Sequence, residues 1–413
     1  MSKDPPRVNG PRLWQSLEAM AKLGATRRGG VCRPALSEAD LAARGLLRDW
    51  ATAAATRLEI DPLGNLFFHR PGQNPASPAV LMGSHLDSQL TGGRFDGAYG
   101  VLAGLEVIRT LNDLDIVTKR PLQLVNWTNE EGVRFSPAML GSGGFAGVYT
   151  DEYALARKDS SGESLAMALE RSGYAGPART TGRPGLHAAF ELHIEQGPRL
   201  EAEGLTIGVV TGTQGIRWYD AEFRGESAHS GTTPLAKRRD AALGLAQAIL
   251  AVREIGLQEG ETGRATVGSA RLFPNVRNAV TEKAVFTVEF RHPDQARLVA
   301  QGHKLKEHLA KIAKADQLGY SLKEILTLPP LTFDPGLLGV VRQACTRLRL
   351  PHCDILSGAG HDSCNVSRVA PTAMIFIPCR GGLSHNEAED ILPEWAEAGA
   401  NVLLQAVLDQ AQT

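Results

Sequence analysis

His85 and Asp96 in GSHLDSQLTGGRFDG, Glu130 and Glu131 in WTNEEG, His193 in ELHIEQG and His385 in GLSHNEAE combine donors that fit a metal site. Imidazole and carboxylate suit zinc, manganese or cobalt, and a carboxylate beyond the ligands is what metal-assisted hydrolysis needs as a proton carrier. Together they point to a hydrolase. The adjacent glutamates strengthen this, because one such site has two jobs for a carboxylate: to hold the ion, and to move a proton from water to a leaving nitrogen. A bare EE pair would be a solvated helix feature. This one follows an apolar strand and precedes a glycine. Gly92, Gly93 and Gly97 allow a tight turn aiming Asp96 from a loop, and Asp87 is placed to accept a hydrogen bond from the second nitrogen of His85.

Several elements must position these residues. Apolar runs at 79–82, 122–125 and 189–192 read as strands leading into His85, Glu130 and His193, and 100–114 has helical spacing. Alternating strands and helices imply a largely parallel sheet, whose ligands bind beyond the strands' carboxyl ends. A different texture starts near Thr213: strand 218–223, the loop GESAHSGTTP, helix 235–255, strands 266–273 and 284–291, helix 293–315 and strand 320–328. That β-α-β-β-α-β order is ferredoxin-like. The chain then resumes with a helix at Gly336 and a strand at 373–377. If His385 shares a site with ligands that precede the insertion, the domain carrying them is discontinuous. The expected division is 1–212 with 329–413, and 213–328 between them.

Composition narrows the class of protein. The 413 residues exceed what one core usually serves; 43% are hydrophobic and 22% charged, as in ordinary globular chains. With 44 Lys and Arg against 45 Asp and Glu, charge offers no case for a nucleic-acid or membrane partner. The N-terminus has no apolar segment of the signal-peptide kind, so it reads as a short tail before an amphipathic helix, and a cytoplasmic location is expected. Cys32, Cys345, Cys353, Cys364 and Cys379 show no paired spacing and are expected to be buried free thiols.

The ordered strings GSHLDS, GGRFDG, TNEEGVRF, ELHIEQGP, SAHSGTTP, SGAGHD and IFIPCRGGLSH resemble the amidase/hydantoinase/carbamoylase group of binuclear metal hydrolases. The resemblance covers nearly the whole chain. It implies an α/β catalytic domain like that of metal-dependent exopeptidases, its mostly parallel sheet flanked by helices, with a ferredoxin-like α+β lid and dimerisation domain inserted. It implies two divalent ions (zinc, manganese, cobalt or nickel), one bound by His85, Asp96 and His193 and the other by Asp96, Glu131 and His385. Glu130 would then be the general acid/base. Arg291 and Asn278 would bind a substrate carboxylate, Gln196 would face the carbamoyl group, and Gly360 would contribute its backbone.

His229 would be a lid histidine shared across a homodimer, stabilising an oxyanion; without the family it reads as a loop residue capping the next helix. The roles of His361 and Asp362 look structural. Glu289 departs from the group, where Asp often stands before the arginine. The strings TGGRFDGAYGVLAGLEV and GLSHNEAE resemble the carbamoyl-amino acid and β-ureidopropionate branch more than the allantoate branch, which implies hydrolysis of N-carbamoyl amino acids, α or β, to amino acid, carbon dioxide and ammonia. Allantoate amidohydrolysis is the nearest alternative, then aminoacylase or dipeptidase activity. A catalytically silent metal-stabilised protein is disfavoured by the spare Glu130.

Overall fold

The computed structural model describes residues 5–177 and 185–413. These form two compact units: the chain up to Thr211 with Phe333–Thr413, and Gly212–Thr332.

In the first unit the strands β1 (Arg57–Ile60), β2 (Leu66–Arg70), β3 (Ala79–His85), β4 (Leu122–Trp127), β5 (Leu186–Ile194) and β6 (Ile207–Thr213) precede the insertion. The four strands of the second unit's sheet follow: β7 (Gly215–Arg224), β8 (Arg264–Phe273), β9 (Lys283–His292) and β10 (Gly319–Leu328). The short β11 (Leu331–Thr332) pairs with Thr213 and Gly212, where the chain enters and leaves that unit. After it come β12 (His352–Ser357) and β13 (Thr372–Ile377).

The first sheet runs β1-β2-β4-β3-β5-β13-β6, with β12 beside β6. Its centre, β4-β3-β5-β13, is parallel. Antiparallel pairs flank it on both sides, a mixture the strand-helix alternation does not reveal. All seven residues of β3 are buried, the pattern of a strand covered on both faces. The helices Ala98–Asp113 and Pro393–Ala411 pack against it. The N-terminal helix is Gly10–Ala21, capped by Asn9, which accepts a hydrogen bond from the Arg12 N–H.

The second unit's sheet is antiparallel throughout, in the order β10-β7-β9-β8. Along β9 burial alternates strictly, so Ala284, Phe286, Val288 and Phe290 face a core shared with Leu245, Leu298 and Leu305. Each large side chain there contributes about 1.5–3 kcal/mol by leaving water. The helix expected to begin at Leu235 begins instead at Ala241. Residues Leu235–Lys237 form one 3-10 turn, and the Asp240 carboxylate caps the true start by accepting from the Ala242 N–H.

Of the five cysteines, Cys345 and Cys379 are buried and the other three are partly exposed, contrary to the expectation of uniform burial; all are free thiols. Burial pushes the Cys379 thiol up to about 12, which removes it as a nucleophile near neutral pH. No described helix is long and apolar enough to cross a membrane.

Candidate metal centre

The parallel strands of the first unit each deliver a donor at or beyond the carboxyl end. β3 ends on His85, β5 carries His193 beside its last residue, β4 leads through Thr128 and Asn129 to Glu130, and β13 leads to the loop bearing His385. His85 and His193 are almost completely buried. The Nδ1 of each lies 2.9 Å from a backbone carbonyl, of Asp87 and Ile194 respectively. Those carbonyls hold a proton on Nδ1, so in the neutral ring Nε2 keeps its lone pair toward the site, as a metal ligand requires; at His193 the Gly97 N–H donates to it at 3.3 Å.

Asp96 lies between two donor groups. Its Oδ1 is 3.1 Å from His193 Nε2 and 3.8 Å from His85 Nε2. Its Oδ2 is 3.4 Å from His385 Nε2, which is itself 3.5 Å from Glu131 Oε2. In both triads, His85/Asp96/His193 and Asp96/Glu131/His385, the candidate atoms lie within 4.8 Å of one another. Glu131 Oε1 is buried with no hydrogen-bond partner among the described residues. Imidazole and carboxylate donors with a spare buried oxygen fit divalent cations.

The loops keep these positions by close contact. A Cβ at Gly97, where φ is +64°, would run into the His85 ring, so only glycine lets Asp96 come this near. Gly93 has a different task from the turn its doublet suggests: a Cβ there would overlap the Glu389 carboxyl group. Asp87 also differs from expectation. It meets His85 through its backbone carbonyl, while its two carboxylate oxygens accept the N–H groups of Glu130 at 3.1 Å and Glu131 at 3.2 Å. One buried carboxylate thus sets the backbone of both glutamates. Behind them, the fully buried pair Arg44–Asp40 (2.7 Å) reaches Thr128 Oγ1 through Arg44 Nη2.

Glu130 Oε2 is 3.6 Å from His85 Nε2. Burial and the carboxylates of Asp362, Glu131, Asp87 and Asp96 hold Glu130 well above the ordinary carboxyl range. Burial, then Asp96 and Asp87, do the same to Glu131. Burial also acts to raise Asp96, but the hydrogen bond and charge of His193, with His85 and His385, outweigh it and hold Asp96 below its usual value. For His193 burial opposes the charged form, and the hydrogen bond to Asp96 prevails, bringing the group to about 9. So many acidic groups in one buried volume repel each other unless cations are present.

Other expected site residues fall in two places. Gln196 is in the cluster: its Nε2 donates to Asp96 Oδ2 and Ser384 Oγ, both at 3.0 Å, and its Oε1 is buried with no hydrogen-bond partner among the described residues. Gly360 precedes the buried His361, whose Nε2 is 2.9 Å from Ser357 Oγ and whose ring lies 4.7 Å from that of His193. Glu191, His193 and His361 also lie close enough to hold an ion. Both Glu191 oxygens, however, already accept hydrogen bonds, from Ser84 Oγ and the Ser363 N–H.

His229, Asn278 and Arg291 belong to the second unit. The Ser230 N–H bonds the Asn278 carbonyl at 3.0 Å, and His229 bridges to Ala279, so His229 and Asn278 are neighbours there. His229 Nδ1 accepts from the Gly231 and Thr232 N–H groups, which leaves the proton of the neutral ring on an exposed Nε2. Arg291 on β9 forks onto Glu289, Nε to Oε1 at 2.8 Å and Nη2 to Oε2 at 3.1 Å, and Trp218 Nε1 joins the same carboxylate.

Residues 81–409 match peptidase family M20/M25/M40. The chain belongs to that family. Within the M20/M25/M40 peptidases it groups with the hydantoinase/carbamoylase amidases. It is 48% identical to an N-carbamoyl-L-amino-acid amidohydrolase of Rhizobium meliloti, over 98% of this chain and 97% of the relative. It is 31% identical to an allantoate amidohydrolase of Bacillus subtilis, over 94% of each chain. The crystal structure of an amidase of the hydantoinase/carbamoylase family from Burkholderia multivorans is 53% identical and covers 99% of both chains, with a TM-score of 0.94.

Sequence reasoning missed Gln89, whose Nε2 donates to Glu131 Oε2 at 2.7 Å, and Ser384 and Glu389, which hold the Asp96 and His385 loops. Both loop residues stand in the same GLSHNEAE string as His385, and only that proximity could have signalled them.

Proposed function

We propose that this protein is a binuclear metal-dependent amidohydrolase that cleaves the ureido C–N bond of N-carbamoyl amino acids. The substrate class rests on the 48% identity to an N-carbamoyl-L-amino-acid amidohydrolase across almost the whole of both chains. The division of Asp96 between two donor triads, with Glu130 alongside, supports the chemistry.

In this reading His85, Asp96 and His193 hold one divalent cation and Asp96, Glu131 and His385 the other, with zinc, manganese, cobalt and nickel all suited to the donors. Bound there, the ions would supply Lewis acidity and acidify water. Glu130 removes a proton from the attacking water as its oxygen adds to the ureido carbon. It returns that proton to the amino-acid nitrogen as the C–N bond breaks, and the carbamate released falls apart into carbon dioxide and ammonia. Gln196 offers its unpartnered Oε1 to the carbamoyl NH2 while its amide N–H steadies Asp96, and Gly360 lends backbone to the pocket. Arg291 and Asn278 take the substrate carboxylate, the guanidinium fork being held in plane by Glu289. His229 presents Nε2–H to the developing oxyanion in a homodimer's other active site. The enzyme works in the cytoplasm.

The test is release of primary amine and ammonia by protein stripped of metal and reloaded with manganese, cobalt or zinc. Substrates are several N-carbamoyl-L-amino acids, N-carbamoyl-β-alanine and allantoate. Metal-dependent amine release from the carbamoyl compounds is expected; ammonia from allantoate alone, or silence on all of them, would overturn the substrate assignment.

A further inference from the structure

Outside both triads, the buried carboxylate of Glu389 joins the loop of Asp96 to the loop of His385, where the partly exposed Asp390 also pairs with Arg94 at 2.8 Å. Glu389 is 1% exposed. Its Oε1 accepts the N–H groups of Phe95 and Asp96, each at 3.0 Å. Its Oε2 lies 3.1 Å from Ser384 Oγ, which is also 3.2 Å from Asp96 Oδ2 and receives the Gln196 amide. The absence of a side chain at Gly93 makes room for the carboxyl group. The carboxylate therefore bonds the backbone of the residue shared by both triads and, through one hydroxyl, the residue just before His385.

The two triads differ in what else supports them. His85 and His193 stand on neighbouring strands of one sheet, buried, each with Nδ1 held by a carbonyl. His385 stands on a loop with φ +53° and a side chain 51% exposed. Its position relative to Asp96 depends on loop-to-loop contacts, and Glu389 supplies the buried ones.

We propose that Glu389 is the positioning residue that sets the second ion position, Asp96/Glu131/His385, and that the first triad, whose two histidines are fixed by the sheet, depends on it far less. This rests on the two-ion reading above. Such supports behind a ligand typically carry about 10- to 100-fold in metal affinity.

The experiment is a Mn2+ titration of the metal-stripped full-length protein, following bound equivalents, with thermal melts in the absence of metal as a folding control. Wild type, Glu389→Ala, Glu389→Gln, Ser384→Ala and His385→Ala are compared. Wild type is expected to bind two equivalents. Glu389→Ala should weaken by about 10- to 100-fold the same equivalent that His385→Ala removes, and leave the other within a few-fold. Glu389→Gln keeps an Oε1 acceptor for the two N–H groups and should restore most of the loss. Ser384→Ala, a milder change that keeps the folding risk low, should cost several-fold at the same equivalent.

Two tight equivalents in Glu389→Ala, equal loss of both, or a Gln variant as poor as Ala would each overturn the brace while leaving the two-ion reading standing. A wild type that binds a single equivalent would overturn the two-ion reading itself, and the brace with it.

Discussion

The candidate ion-binding region of the first unit and the candidate substrate-binding region of the second are built on opposite terms. In the first, the donors sit at the carboxyl ends of buried parallel strands, and their spare atoms are tied down: His85 and His193 by carbonyls, the two glutamates by Asp87, Asp96 by Glu389. In the second, His229 and Asn278 are exposed on loops joined by backbone bonds, and Arg291 is half-buried on a strand whose core face points the other way. A small cation tolerates little error in donor position, so its site carries the cost of burying charge and fixes it with hydrogen bonds. A carboxylate anchor needs a correct fork and charge, which one ion-paired arginine on an antiparallel strand can present.

The largest expected effect tests whether the first region alone depends on ions. A chelator should abolish turnover and, measured against ion held at about 100-fold over its Kd, lower stability by about 2.7 kcal/mol for each ion removed. Hydrogen exchange should speed up around His85, Asp96 and Glu131, with β7 and β9 unchanged. Equal loosening of both sheets would break the contrast.

Next is Glu130→Gln, expected to lower kcat by about 10²- to 10⁴-fold with ion content retained; loss of an ion instead would show that Glu130 and Glu131 have exchanged roles. Arg291→Ala should then lower kcat/KM for carbamoyl amino acids by about 10- to 100-fold, in line with the roughly 1.5–3 kcal/mol of a charged hydrogen bond. Ion affinity should not change. A variant indifferent to the substrate carboxylate would move the protein toward the aminoacylase or dipeptidase reading.

The smallest effect concerns pH and the metal-free protein. Burial, and next Asp40, raise Asp87 from 3.8 to about 7. The native state therefore holds a proton there that the unfolded chain has released, and stability falls as pH rises across that interval. Asp87→Asn lacks this dependence, so its stability relative to wild type should improve with rising pH from 3.8 to about 7 and level off above. Thermal or urea melts at several pH values would show it; a constant difference would mean that Asp87 is not perturbed.

Both the fold and the candidate site were legible where chemistry and pattern are local. Strand β3 showed as an apolar run before His85, and β9 showed as a strand over 284–291, close to its observed Lys283–His292. The start of the helix at Ala241 was not legible, because Pro234 offers a helix-start signal that the 3-10 turn uses up before Asp240 caps the longer element. The antiparallel flanks of the first sheet escaped for a similar reason: strand direction is decided by pairing between distant segments.

By itself, then, the sequence determined which donors exist, which strands lead to them and which family of folds can hold them, since residue type and short-range periodicity are properties of contiguous chain. The tertiary structure decided how the donors are aimed. The split of the Asp96 oxygens, the Asp87 clamp and the Glu389 brace join residues up to 294 positions apart. Whether a carboxylate there becomes a ligand, a clamp or a brace depends on loop closure, burial and the hydrogen-bond donors that the fold brings to it.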